Sequence, residues 1–151
     1  MGNMHSKQKG DIGEAAITLD LIKRGFEVFK DFGDLSRVDL IAHCPSSGQV
    51  WKIQVKAVMS LQDASQVILY TRKSGPNGYA YRYELKHIDV FAVYVLDTEG
   101  IYYLSAAEAL LRKSSFTLRL KDSANKQVRG VVKAADRLIF PPESPSGISE
   151  D

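Results

Sequence analysis

The sequence predicts an α/β (α+β) fold, in which helices flank a mixed central β-sheet. Three observations favour it: an apolar helical period opens the chain, several strand-like runs follow, and a short helix comes late. The chain has 151 residues and is 44% hydrophobic, which suits one domain with a buried core. We expect this domain to span residues 1–140, and the Pro/Ser-rich, acidic residues 141–151 to form a disordered tail.

The first predicted element is a helix over residues 6–24, which Gly25 ends. Apolar residues recur along it at spacings of three and four, and the larger apolar stripe consists of Ile12, Ala15, Ala16, Leu19 and Ile22. Ile17 and Leu21 form a smaller second stripe. We expect the larger stripe to be the face that packs on the core.

A short strand over residues 26–30 and a loop over residues 31–37 follow the helix. Residues 38–58 have the pattern of two strands separated by the turn 45–48, Pro-Ser-Ser-Gly, whose residues break both helices and strands. The adjacent strands predict a hairpin in the middle of the domain.

The second half of the chain continues with a strand over residues 65–72 and a Gly/Pro turn. Residues 88–105 predict another hairpin, with an apolar strand, an acidic turn and a strand rich in tyrosine. A short helix over residues 106–113, capped by Ser105, and an alternating strand over residues 116–121 complete the pattern.

Composition excludes several classes of protein. No apolar run approaches the roughly 20 residues that span a bilayer, so we expect no membrane association. Cys44 is the single cysteine of the sequence, which excludes an internal disulfide and favours a reducing, cytoplasmic location.

Charge is unevenly distributed along the chain, although the net charge is only +2. Residues 112–137 hold eight basic residues against two acidic ones, which indicates a polyanionic partner such as DNA or a solvated charged face. The candidate phosphate contacts in this block are Arg112, Lys113, Arg119 and Lys121. The segment 71–83 combines Arg72, Lys73 and Arg82 with three tyrosines, which suits contacts to phosphates and bases or a turn with core-packing aromatics.

The hairpin over residues 38–58 carries polar side chains that a buried hairpin does not need. Asp39 lies between apolar neighbours, and a buried carboxylate requires a cation, a metal or hydrogen-bond donors. Alternation places Lys52, Gln54 and Lys56 on one face of the second strand, away from its apolar residues. A half-buried strand with a wet face would give the same pattern, and the strand register stays open.

An acid, an amide oxygen and a lysine on adjacent strands suit one kind of chemistry. Hard cations such as Mg²⁺ take oxygen ligands and keep several waters. A lysine beside the metal stabilises charge that develops on a phosphate. These residue types together favour metal-assisted hydrolysis of a phosphodiester.

The stretch "GDIGEAAITLDLIKRGFEVFK", followed by "VDLIA" and "IQVKA", resembles the PD-(D/E)XK nuclease superfamily. The resemblance implies a restriction-endonuclease-like core with Glu14, Asp39, Gln54 and Lys56 as catalytic residues. It assigns the metal to Asp39, Gln54, the Val55 carbonyl and Glu14. The first helix is also similar to that of archaeal Holliday-junction resolvases. The glutamine and the later hairpin look more like the small homing endonucleases of bacterial tRNA introns.

The resemblance implies a Mg²⁺-dependent endonuclease, with Mn²⁺ as a substitute, that cuts both strands of double-stranded DNA at a specific site. It implies a homo-oligomer, a dimer at least and a tetramer as the higher assembly. A structure-specific resolvase and a catalytically silent DNA-binding module are the alternatives. Two positions depart from the family pattern: Val38 replaces proline, and Gln54 replaces the usual acid. The second departure removes a negative charge from the metal site.

Overall fold

A five-stranded mixed sheet forms the centre of the fold, as the sequence predicts. The structure is a computed structural model that describes residues 4–33, 36–74, 80–122, 125 and 130–145. In chain order the elements are α1 (Ser6–Lys23), β1 (Glu27–Lys30), β2 (Leu40–His43), β3 (Val50–Val58), β4 (Gln66–Tyr70), β5 (Arg72–Ser74), β6 (Ala80–Arg82), β7 (Val90–Val95), β8 (Ile101–Ser105), α2 (Ala106–Ala109), β9 (Ser115–Arg119) and a 3₁₀-helix (Ala134–Arg137).

The strand order of the central sheet is β1-β2-β3-β7-β8. Strands β3 and β7 run parallel, with Gln54 opposite Phe91 and Lys56 opposite Val93, and the other three pairs are antiparallel. Two smaller sheets pair β4 with β9 and β5 with β6. Both predicted hairpins of the central sheet, β2-β3 and β7-β8, are confirmed.

The central sheet separates two apolar clusters, one on each face. On one face Ile17 and Leu21 of α1 pack with Leu40, Ile53 and Val55. On the other face the alternate residues of the central strands pack with the sheet formed by β4 and β9. Because β7 is covered on both sides, nearly all of its residues are buried, which accounts for its continuous apolar sequence.

The buried face of α1 differs from the face that the sequence predicts. The buried residues are Gly13, Ile17 and Leu21, whereas Leu19 and Ile22 of the larger stripe are each 54% exposed. The reason lies at Gly13, where an added Cβ would stand 2.8 Å from the Cβ of Ala57. The helix packs closely against β3 at Gly13. Glycine has no apolar side chain, so the spacing of apolar residues does not reveal this face.

The second helix is shorter than predicted, because it ends at Ala109. Its predicted cap is confirmed, since the Ser105 hydroxyl accepts a hydrogen bond from the Glu108 amide at 3.1 Å. Beyond the helix, the carbonyls of Leu110 and Arg112 accept hydrogen bonds from the Arg82 guanidinium. Neither α-helix in the described ranges is long and apolar enough to cross a membrane.

The chain returns to the core near its end. Phe140 is only 7% exposed, and its ring packs edge-on against the rings of Phe26, Trp51 and Tyr103. Of the segment that the sequence predicts as a tail, residues 146–151 lie outside the described residues.

The two glycines inside α1 give a matched test of this packing. Gly13→Ala should lower the free energy of unfolding by about 1–3 kcal/mol, because its methyl group overpacks the contact with Ala57. Gly10→Ala should raise it by about 0.5–1 kcal/mol, because an added Cβ meets nothing within 4 Å there and alanine favours the helix. Urea unfolding measures both, and equal stabilisation by the two variants would contradict the close approach of α1 to β3.

Candidate active site

The register of β2 against β3 brings the predicted polar residues together. Leu40 lies opposite Ile53, so one further step along the same register places Asp39, just before β2, opposite Gln54. The Asp39 amide donates a hydrogen bond to the Ile53 carbonyl at 2.9 Å. Asp39, Gln54 and Lys56 therefore belong to the face of the sheet that is turned away from α1.

The carboxylate of Asp39 takes a position in the hydrogen-bond ladder itself. Its Oδ2 accepts a hydrogen bond from the Val55 amide at 2.8 Å. Val55 is only 8% exposed, so this amide would otherwise need another partner inside the protein. The bond fixes the carboxylate beside the segment of β3 that carries Gln54 and the Val55 carbonyl.

Gln54 is a buried amide, with 6% of its surface exposed. It is therefore not a solvated position on a wet strand face. Its Nε2 donates to the Val55 carbonyl at 3.5 Å, a length at the outer limit of a hydrogen bond. A buried amide with so weak a bond is costly unless another partner completes it, which marks Gln54 as a candidate ligand.

Lys56 follows two residues later on the same face of β3. Its Nζ lies 3.4 Å from the hydroxyl oxygen of Tyr83 and 4.7 Å from the centroid of that ring. The ring face and the hydroxyl oxygen are both favourable contacts for an ammonium group. The structure thus places the charged amine of Lys56 against Tyr83, on the face of β3 that also carries Gln54.

Glu14 lies on α1, in a groove of about 510 Å³ that Asp11, Thr18, Lys30 and Leu40 also line. Its carboxylate forms an ion pair with Lys30 at 2.6 Å. Leu40 follows Asp39 in the chain, so α1 brings Glu14 towards the start of β2. The sequence predicts the strand that ends at Lys30, but it does not predict the ion pair between Lys30 and Glu14.

A second group of side chains lies beside the site; the sequence singles out its tyrosines, in residues 71–83, but not Arg37 or His87. The Arg37 guanidinium lies over the Tyr81 ring, 4.3 Å from its centroid, and donates to the His87 ring with a closest distance of 2.7 Å. Tyr83 is 1% exposed and belongs to the core. Tyr81 and Tyr83 are two residues apart, the spacing that places two side chains on the same face of a strand.

Burial and neighbouring charges set the protonation states of this group. Burial, with smaller contributions from Tyr81 and Asp39, raises the pKa of Tyr83, so its hydroxyl stays neutral at physiological pH. Burial and the adjacent Arg37 lower the pKa of His87. A neutral His87 ring is the form that accepts a hydrogen bond from the guanidinium.

The predicted DNA contacts divide into two groups. Side chains in the first group are already bound within the protein: Arg82 to the carbonyls of Leu110 and Arg112, Arg119 to the Gln66 amide oxygen at 3.0 Å, and Lys121 to the Asp63 carbonyl at 2.9 Å.

Side chains in the second group, Arg72, Arg112 and Lys113, are exposed. The side chain of Lys73 lies outside what the structure describes, although its backbone pairs with Tyr81.

The donor types of Asp39, Gln54 and the Val55 backbone fit a hard divalent cation. They are one carboxylate, one buried amide and one backbone carbonyl, a donor set that suits Mg²⁺ with its remaining positions filled by water. No group of three His, Cys, Asp or Glu side chains suitable for a metal occurs among the described residues. Any ion bound there would consequently depend on neutral oxygens as well as on Asp39.

Two substitutions at Asp39 separate its structural role from its chemical one. Asp39→Ala leaves the Val55 amide without its acceptor and should lower the free energy of unfolding by about 1–3 kcal/mol. Asp39→Asn retains an oxygen in the same place and should cost less than about 1 kcal/mol. Chemical denaturation measures both, and an equal loss in the two variants would contradict the role of this hydrogen bond.

Comparison with known proteins connects this geometry to a family. The model of the PD-(D/E)XK endonuclease family matches residues 4–138. A solved structure of a bacterial homing endonuclease, I-Ssp6803I, superposes with a TM-score of 0.66 and 23% sequence identity, over 82% of this chain and 83% of that one. No curated protein matches the sequence. The structural likeness shows a shared fold, and the match over most of the sequence shows that the chain belongs to the PD-(D/E)XK endonuclease family.

Proposed function

We propose that this nuclease is a Mg²⁺-dependent DNA endonuclease that hydrolyses phosphodiester bonds and cuts both strands of a specific site, in the manner of a homing endonuclease. One observation carries the proposal: the register of β2 with β3 sets Asp39 opposite Gln54, and the Asp39 carboxylate accepts a hydrogen bond from the Val55 amide, next to Lys56 in the chain. The likeness to the solved homing endonuclease supports the finer assignment. The cytoplasm is the location proposed for it, in keeping with a sequence that has one cysteine.

Each side chain of the site has a separate task in this proposal. Asp39, Gln54 and the Val55 carbonyl hold the ion, and Lys56 places a positive charge where the scissile phosphate gains negative charge. A bound divalent ion supplies Lewis-acid stabilisation of the phosphate oxygens. The Val55 amide holds Asp39 in position before any ion arrives. Mn²⁺ also prefers oxygen ligands and should substitute.

Glu14 has a subsidiary role in the proposal, as a ligand to a second ion or to a water. Its carboxylate is engaged by Lys30, so Lys30 must move or share it when an ion or a substrate binds. Gln54 makes the site less negative than one with two acids. Gln54→Glu would restore the acid, so metal affinity should rise and cleavage should persist.

DNA binding requires cations beyond the active site. We propose that Arg72, Arg112 and Lys113, which are exposed, contact phosphates. Through their hydrogen bonds, Arg82 and Lys121 instead stabilise the loops around them, and Arg119 stabilises the pairing of β4 with β9. Their substitution would therefore change the local structure as well as the charge.

A double-strand cut requires two active sites, because the two strands run in opposite directions. We propose a homo-oligomer for this reason, a dimer at least, with a tetramer as the larger assembly. The exposed apolar side chains of α1 support self-association, since Leu19 and Ile22 are each 54% exposed.

The cleavage assay uses a pool of random linear duplexes and a four-way junction, with Mg²⁺ or EDTA. Wild type should cut a recurring linear site with Mg²⁺, and Lys56→Ala should reduce the rate by at least about 10²-fold through loss of transition-state charge stabilisation. Lys52→Ala is the matched control, since Lys52 lies on the same face of β3 but donates to the Lys86 carbonyl. Sequencing of the cut ends identifies the site.

Three outcomes of this assay would oppose the proposal. Cleavage by Lys56→Ala at the wild-type rate would contradict the assignment of the site. Exclusive cutting of the junction would favour a resolvase. Binding without cleavage under any divalent ion would favour the silent module, a reading that the missing acid at Gln54 supports.

A further inference from the structure

Tyr83 has no role in the chemistry described so far, yet it contacts the candidate catalytic lysine. Its hydroxyl oxygen lies 3.4 Å from Lys56 Nζ, and its ring centroid lies 4.7 Å from the same atom. Tyr83 is 1% exposed, so it does not reach a DNA surface. Both the hydroxyl oxygen and the ring of this buried tyrosine contact an ammonium group, which packing alone does not explain.

The Tyr83 ring is held firmly by its neighbours. It packs edge-on against Phe91 at 5.5 Å and against Tyr81 at 5.8 Å between centroids. Its amide donates to the Thr71 carbonyl at 3.2 Å. Phe91 lies opposite Gln54 in the β3-β7 pair, so the same packing supports both the amide and the lysine.

We propose that Tyr83 is a positioning residue of the active site, which holds the Lys56 ammonium on the Gln54 face of β3 through its hydroxyl oxygen and its ring. Lysine has a long, flexible side chain. A fixed acceptor orders it in advance, so less conformational entropy is lost when the amine is positioned for catalysis. Tyr83 stays neutral, so it orients the ammonium without neutralising its charge. The catalytic consequence rests on the proposed nuclease function, whereas the contact does not.

Removal of a single hydroxyl tests this role, and a second buried tyrosine provides the matched control. Tyr83→Phe keeps the ring and its aromatic contacts and loses only the acceptor. Tyr103→Phe also removes one hydroxyl from a fully buried ring, but that hydroxyl donates to Asp20 on α1. Thermal melting monitored by circular dichroism should show similar, small losses of Tm in the two variants.

The first readout is independent of cleavage. In protein labelled with ¹³C-lysine, the Cε resonance of Lys56, assigned through its loss in Lys56→Arg, reports the surroundings of the amine. Tyr83→Phe should shift that resonance, because the amine loses the hydroxyl oxygen that lies 3.4 Å away. Tyr103→Phe should leave it unchanged. No shift in Tyr83→Phe, or equal shifts in both variants, would overturn the proposal.

The second readout is kinetic and applies if wild type cleaves DNA. Tyr83→Phe should lower kcat about ten-fold and leave KM nearly unchanged, because it disturbs the alignment of Lys56 without touching DNA. A change in KM alone would overturn the positioning role. If wild type does not cleave, the proposed function fails, and the comparison of the Lys56 resonances still decides whether Tyr83 holds Lys56.

A substitution of Lys56 tests the same contact if Tyr83→Phe does not fold. In protein labelled at the tyrosine rings, Lys56→Met should shift the ring resonances of Tyr83 and leave those of Tyr103 in place. Lys56 is only half-buried, so this variant should fold. Unshifted Tyr83 resonances would show that the two side chains do not meet.

Discussion

The hydrogen bond from the Val55 amide to the Asp39 carboxylate is the interaction on which the candidate site depends. The pairing of β2 with β3 ends at this bond, in which a side-chain carboxylate takes the place of a backbone carbonyl as the acceptor. The acid is thereby held beside Gln54 and the Val55 carbonyl, and Lys56 follows on the same face. One carboxylate thus completes the ladder, and the same carboxylate is the charged ligand of the proposed metal site.

The packing beneath the site keeps this strand in place. On one side Gly13 lets α1 approach Val55 and Ala57, and on the other side Tyr83 and Phe91 fill the space behind Lys56 and Gln54. Along β3 the candidate site residues Gln54 and Lys56 alternate with Ile53 and Val55, which pack against α1. A shift of one residue in register would exchange the two sets, so fold stability and site geometry are linked through β3.

The sequence predicts much of this arrangement, because its signals are local. Alternation along residues 50–58 places Gln54 and Lys56 together, and the turn at residues 45–48 brings Asp39 back towards them. The buried face of α1 was predicted wrongly, since close packing at a glycine leaves no apolar signal. The contacts of Tyr83, Arg37 and Arg82 join segments distant in sequence, and no periodicity reveals which arginine binds a carbonyl of its own chain.

The central claim is that Asp39, Gln54 and Val55 form one divalent-metal site, and paramagnetic broadening by Mn²⁺ tests it without knowledge of the DNA target. In ¹⁵N-labelled protein, substoichiometric Mn²⁺ should first broaden the amide resonances of Asp39, Gln54, Val55 and Lys56. In Asp39→Asn this selective broadening should disappear, because the site loses its carboxylate. Broadening that begins at other acidic residues, or that persists unchanged in Asp39→Asn, would contradict the account.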